Sequence, residues 1–420
     1  MACLHVYNIS GTTVLELDGE ERKRLRCATH FGLALKETIQ RLTGTPRFRQ
    51  RLFFCGHEVG GESPLPDTER MELQLVILPL RQEKSPALIH AAQLGDLTSL
   101  TSLLEDGQDP NATNGHFSPL WAAACHGRLK VVKLLLQARA DMEIADVEEQ
   151  RSPLLIAADH GHWDVLHHLL EERANVNHVD SRQRTPLFQA ALMGAHAAVK
   201  ALIQAHANLE KSVDNEIPSP LGVAAETGHL QVMQLLVQAG AKKNQPGPEG
   251  RTPLWCAAAS RHLLCVRWLL REKADPELGD LEGMTPLSVA AAHGRVDVAR
   301  ALLTGRADVK MVDHQGRSAL WTAALNCHVK MVQCLIDANA DIEKADQDGV
   351  TPLQISMCAE VQQLLSEVQG RFFLALLAIC LLFVCTRQSK YVNSCCIDMN
   401  IDKYLKSRHR ISVIKRKNLN

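Results

Sequence analysis

Ser118-Pro119-Leu120-Trp121-Ala122-Ala123-Ala124-Cys125-His126-Gly127 is the stretch on which the fold turns. Its opening returns as Ser152-Pro153-Leu154, Thr185-Pro186-Leu187, Ser219-Pro220-Leu221, Thr252-Pro253-Leu254, Thr285-Pro286-Leu287, Ser318-Ala319-Leu320 and Thr351-Pro352-Leu353, always 33 or 34 residues on. A fixed period of that length marks a stacked-repeat architecture, in which no unit buries its apolar face alone. Ser or Thr suits a helix N-cap, and Pro suits the first turn because its missing N–H would be unbonded there anyway. An Ala pair follows and lets a second helix approach closely. Gly127, Gly161, Gly194, Gly228 and Gly294 then stand where the first helix must break in a left-handed residue. The second helix carries Val and Leu at helical spacing, as at Val232, Leu235 and Leu236.

The connection to the next unit reads Ala-Asp-x-Glu-x-x-Asp, as at 140–146 and 340–346. With the capped, Ala-rich first helix, this resembles the ankyrin repeat over about residues 86–369. The resemblance implies an all-α solenoid of antiparallel helix pairs joined by β-turn fingers. It comprises an irregular first repeat from Ala87, seven further units and a shortened cap from Thr351. The family's usual His after Pro-Leu is replaced by Trp121, Leu155, Phe188, Gly222, Trp255, Ser288 and Trp321, and Arg261 and Cys327 replace the inter-helix Gly. Those two turns are expected to be strained or remodelled.

Residues 1–81 do not share the period. Leu4, Val6 and Asn8 alternate with His5, Tyr7 and Ile9 as in a strand, and Val14 to Leu17 reads as a second. Leu35, Ile39 and Leu42 line one face of a helix that ends at Gly44. Arg51 to Phe54, a short strand near Val59, and MELQLVIL at 71–78 complete a β-β-α-β-β-β order. RQRLFFCGHEV at 49–59 and ELQLVIL at 72–78 resemble the third and last strands of ubiquitin-like β-grasp domains, giving an α+β domain ahead of the solenoid. That resemblance implies an apolar receptor-docking patch at Ile9, Phe53 and Val76. No di-glycine follows Pro79-Leu80-Arg81-Gln82, so a built-in domain is implied rather than a conjugated tag.

The tail, 370–420, differs again and is expected to be irregular or helical. Phe372 to Cys385 is an apolar run of 14 residues, and from Thr386 onward nine Lys or Arg accompany two Asp. A membrane helix needs about 20 apolar residues. The basic flank would also place the repeats outside, with no export signal upstream. An interfacial anchor, giving a membrane-associated ankyrin protein, is the alternative; an extension with no folding role is the favoured reading.

The chain holds 420 residues, a formal net charge of −1 and 4% aromatics. The balance gives no global pull towards nucleic acid. Thirteen cysteines without a Cys-x-x-Cys pair fit buried thiols in a reducing, cytoplasmic setting. The 19 histidines fall mostly in ordinary repeat slots. No phosphate loop, nucleophile elbow or HExxH motif appears. The expectation is therefore no cofactor, metal or catalytic residue, and a non-enzymatic scaffold. A fragment of an enzyme whose catalytic domain is absent is the rival. Asn111 and Asn177 sit where the resemblance implies a hydroxylation site in some relatives. The resemblance places protein partners at the finger tips and the ends of the first helices. Candidate contacts are Arg151, Arg184, Arg251 and Arg317, read as a spaced basic row, together with Trp121, Trp255 and Trp321.

Overall fold

A computed structural model gives the architecture. It describes residues 4–8, 10, 12–17, 31–54, 57–59, 71–83, 85–210, 217–370 and 374. The tail beyond 374, and Ile9, lie outside them.

The N-terminal part is a five-stranded sheet: β1 (Leu4–Tyr7), β2 (Thr13–Leu17), β3 (Gln50–Phe54), β4 (His57–Glu58) and β5 (Met71–Ile77), in the order β2-β1-β5-β3-β4. β1 and β5 run parallel and the other pairs antiparallel. The helix Phe31–Thr43 covers one face. Its Leu35 and Ile39 pack with Val6, Leu15, Leu52, Leu73 and Leu75 in a small core. The chain leaves the helix through Gly44 at φ 75°, a conformation cheap only for glycine.

The sheet rests on the start of the solenoid. Phe48, in the short 3₁₀ turn Arg47–Arg49, enters the helical core rather than the sheet's own. Gln40 Nε2 donates to Gln137 O at 3.0 Å, and Arg51 to Glu105 O at 2.7 Å. Arg81 N–H donates to Gly107 O at 3.0 Å, and Asp109 N–H to Arg81 O at 2.7 Å, so the connector is pinned to the first unit.

The repeats form helix pairs. The inner helices are Ser85–Leu94, Pro119–Cys125, Pro153–Asp159, Pro186–Leu192, Pro220–Thr227, Pro253–Ala259, Pro286–Ala292 and Ala319–Leu325. The outer helices are Leu97–Glu105, Leu129–Gln137, Trp163–Glu171, His196–Gln204, Leu230–Gln238, Leu263–Arg271, Val296–Thr304 and Val329–Asp337. A ninth unit is shortened to Pro352–Ile355 and a helix over 359–370. From unit 2 to unit 8 the capping Ser or Thr oxygen accepts from the N–H three residues on, at 3.1–3.3 Å. Between helices the chain passes through Gly127, Gly161, Gly194, Gly228 and Gly294 at φ 64–82°. Arg261 (φ 65°) and Cys327 (φ 59°) adopt the same left-handed turn, so these two units are strained and not remodelled. One hydrophobic cluster runs unbroken from Leu88 to Leu365. Leu236 is fully buried in it, whereas Leu235 is only half-buried, because it lies 100° round the helix from that core-facing position.

Candidate partner-binding surface

Three of the four arginine-bearing fingers are braced by an Asp that accepts from backbone N–H groups. Asp146 accepts from Arg151 N–H at 2.6 Å, Asp180 from Arg184 N–H at 2.8 Å, and Asp313 from Arg317 N–H at 2.9 Å. The other carboxylate oxygen of each takes the same arginine's side chain, at 2.8, 2.7 and 2.6 Å. Burial opposes the Arg151 charge, but the Asp146 hydrogen bond and the Asp146, Glu149 and Asp159 charges outweigh it and raise its pKa. Arg151, Arg184 and Arg317 turn onto buried carboxylates, because an ionised Asp inside the finger needs a paired cation.

Arg251 differs. Gly247 stands where the other three fingers carry Asp, and Glu249 on the same finger is the guanidinium's ion-pair partner among the described residues. Its side chain is 43% exposed, against 19% for Arg151 and Arg184.

Trp121, Trp255 and Trp321 are buried between units. Each indole N–H donates at 3.0 Å to a carbonyl of the next finger, Arg151 O, Met284 O and Val350 O respectively. Arg151, Arg251 and Arg317 lie over the three rings at 5.6, 4.6 and 5.8 Å. These tryptophans stitch neighbouring units together and present little surface to a partner.

The histidines following the inter-helix turns are structural too. His162, His229, His262 and His328 place Nε2 2.9–3.1 Å from Cys125 O, Leu192 O, Glu226 O and Ala292 O of the preceding unit. Facing a carbonyl oxygen, Nε2 is the donor in each bond. Each ring lies over the preceding unit's turn glycine, where a Cβ on Gly228 would come within 2.4 Å of His262 Nδ1. The turns without glycine, Arg261 and Cys327, have no such ring above them: Arg295 takes the position following Arg261, and the array is shortened after Cys327. A third row of acceptors alternates Asn and Glu. Asn111, Glu143, Asn177, Glu210, Asn244 and Glu277 accept from the backbone N–H of Asp141, Asn175, Asn208, Lys242, Asp275 and Asp308 at 2.6–3.1 Å. Asn111 and Asn177 are thus engaged in unit-to-unit bonds.

What remains exposed for a partner is the row at the C-terminal ends of the inner helices. Met193 and Leu325 are exposed apolar side chains there, beside Cys125, Asp159, Glu226, Ser260, His293 and Asn326. Val147 and Leu281 are exposed on finger tips. On the sheet, Phe53 pairs with Gln74 and Val76 with Arg51, both half-buried on the face turned away from the small core. Among the described residues, no group of three or more His, Cys, Asp or Glu could hold a metal ion. No helix among them is long and apolar enough to cross a membrane.

A family profile described as "Ankyrin repeats (3 copies)" matches residues 69–146, 120–215, 154–247, 221–313 and 287–369, together well over half of the chain. Among solved structures, the crystal structure of the human ASB11 ankyrin repeat domain is 31% identical. The match covers 53% of this chain and 99% of that one, with a TM-score of 0.49. No curated protein matches the chain.

Proposed function

Because the chain belongs to the ankyrin repeat family, we propose that it is a non-enzymatic adaptor with two docking surfaces and a cytoplasmic location. Ankyrin repeats make protein–protein interaction scaffolds, and the proposed partner surface is the row of inner-helix ends with the adjoining fingers. The observation that carries the proposal is the contrast within the array. The histidines after the turns and Trp121, Trp255 and Trp321 are consumed in unit-to-unit bonds, and three of the four finger arginines in bonds within their own fingers, whereas Met193, Leu325 and Arg251 remain exposed along the inner side. A mixed, partly apolar lining of this kind suits a polypeptide better than a phosphate backbone. The test is affinity capture with the intact chain, followed by Met193→Asp and Leu325→Asp. Loss of the captured protein with unchanged melting supports the surface, and retention in both variants removes it.

The second surface is the sheet, read as a ubiquitin-like β-grasp domain within 1–81 that docks a receptor of the ubiquitin–proteasome system. This reading is supported by the parallel central pair, the strand order β2-β1-β5-β3-β4 and the single covering helix. Phe53 and Val76 would be its contact residues. Arg51, on the same face, already bonds the first repeat, so a receptor would approach from the Phe53 side. Titration of the ¹⁵N-labelled chain with a ubiquitin-receptor domain tests it. Shifts that map to β3 and β5 and vanish in Phe53→Ala are expected, and no shift there refutes it.

A further inference from the structure

Between the inner helices of units 5 and 6 lies a small open groove of about 70 Å³, walled by Pro218, Pro248, Trp255 and Ala259, with Glu226 and Arg251 also lining it. We propose that this groove is a subsite for an Asp or Glu side chain of an extended peptide segment, whose carboxylate takes on Arg251 the place that a buried Asp takes in the other arginine-bearing fingers. The inference rests on the scaffold reading above and names one chemical preference of that surface.

The argument is a comparison inside one molecule. Asp146, Asp180 and Asp313 each accept from the Nε or Nη2 of their own arginine and leave the finger closed. Gly247 has no carboxylate to offer, and among the described residues the Arg251 fork is met by Glu249, which engages one of its nitrogens. Arg251 is nonetheless held in place by stacking over Trp255 at 4.6 Å, which orients its remaining donors before any ligand arrives. The apolar walls reduce access of water, and a charge-assisted pair strengthens as water is excluded. Glu226 is exposed and has no ion pair among the described residues. It lines the groove, and Glu249 pairs with the Arg251 guanidinium. Two carboxylates beside one guanidinium disfavour a dianionic phosphate more than a monoanionic carboxylate, so the occupant is an acidic side chain and not a phosphorylated one. Glu226 in turn suits a backbone N–H or a basic neighbour of that residue in the same peptide.

The test uses random 12-residue peptides displayed and selected on the full chain, then synthesised and measured by fluorescence anisotropy. The expected peptides share an acidic residue whose replacement by Ala weakens binding at least tenfold, and phosphoserine in its place does not restore it. Arg251→Lys, which keeps the charge but loses the fork, and Gly247→Asp, which supplies the carboxylate internally, each weaken binding at least tenfold with unchanged melting. Phosphoserine binding as well as or better than the acid overturns the carboxylate assignment. Peptides that bind both variants as well as the parent overturn the subsite and leave the scaffold reading standing. Failure to select any peptide counts against both.

Discussion

Gly228→Ala puts two separable costs on one turn. The residue sits at φ 82°, where an alanine pays about 1–2 kcal/mol for the left-handed conformation. Its new Cβ would also lie 2.4 Å from His262 Nδ1, so the ring must swing away and give up its 2.9 Å bond to Glu226 O. That loss adds about 0.5–1.5 kcal/mol, for a total of about 2–3 kcal/mol. Gly161→Ala is the internal control. It has the same left-handed turn, but its Cβ would meet nothing closer than 3.6 Å, because Ala195 stands where the next histidine would be. It should cost only the conformational part. The assay is urea unfolding followed by circular dichroism and tryptophan fluorescence, with the four-way cycle of Gly228→Ala and His262→Ala. In the His262→Ala background the glycine substitution should fall to the Gly161→Ala value, a coupling of about 1 kcal/mol. An equal cost in both backgrounds would refute the ring-over-glycine account.

Arg261→Gly should stabilise by about 1 kcal/mol, because it relieves a left-handed arginine and sacrifices only an exposed 3.7 Å pair with Asp297; a lowered urea midpoint contradicts it. Leu236→Ala should cost about 2–5 kcal/mol and the half-buried Leu235→Ala clearly less, read from the same titrations. Burial pushes the Cys256 thiol up to about 12 and the Cys265 thiol up to about 11. Both should therefore alkylate with iodoacetamide far more slowly than exposed Cys327 at pH 8, as peptide mass mapping will show. Since both thiols keep their protons longer when folded, stability from them is complete below their ordinary value of 9.0 and falls as pH rises towards 11–12. Removing 371–420 should leave the melting temperature unchanged, and carbonate-resistant membrane retention of the full chain alone would overturn the reading of the apolar run as too short to span.

The period, the caps and the inter-helix glycines were legible because each does a local job that its residue type announces. Thr185 caps wherever it precedes Pro186, whatever lies above it. The strands and helix of residues 4–77 were legible for the same reason, since Leu52 and Leu73 point inward by simple alternation. The site was harder to read. Trp121 looks like a surface anchor until stacking brings Arg151 O, thirty residues on, against its N–H. The arginine braces do carry a sequence signal: an Asp stands four or five residues before Arg151, Arg184 and Arg317, and a Gly before Arg251. The histidines carried a comparable signal, each lying 34 or 35 residues after a turn glycine. Leu235 and Leu236 satisfy the same helical template, and only the packed orientation separates them, burying Leu236 and leaving Leu235 half-buried.

The account's central claim is that a protein partner lies along the inner-helix ends and fingers. Hydrogen–deuterium exchange of the chain with and without its captured partner measures this directly. The account predicts added protection at 125–127, 159–161, 192–194, 226–228, 259–261, 292–294 and 325–327 and in the adjoining fingers, with the outer helices unchanged. Protection confined to the outer helices, such as Leu230–Gln238 and Leu263–Arg271, would contradict it.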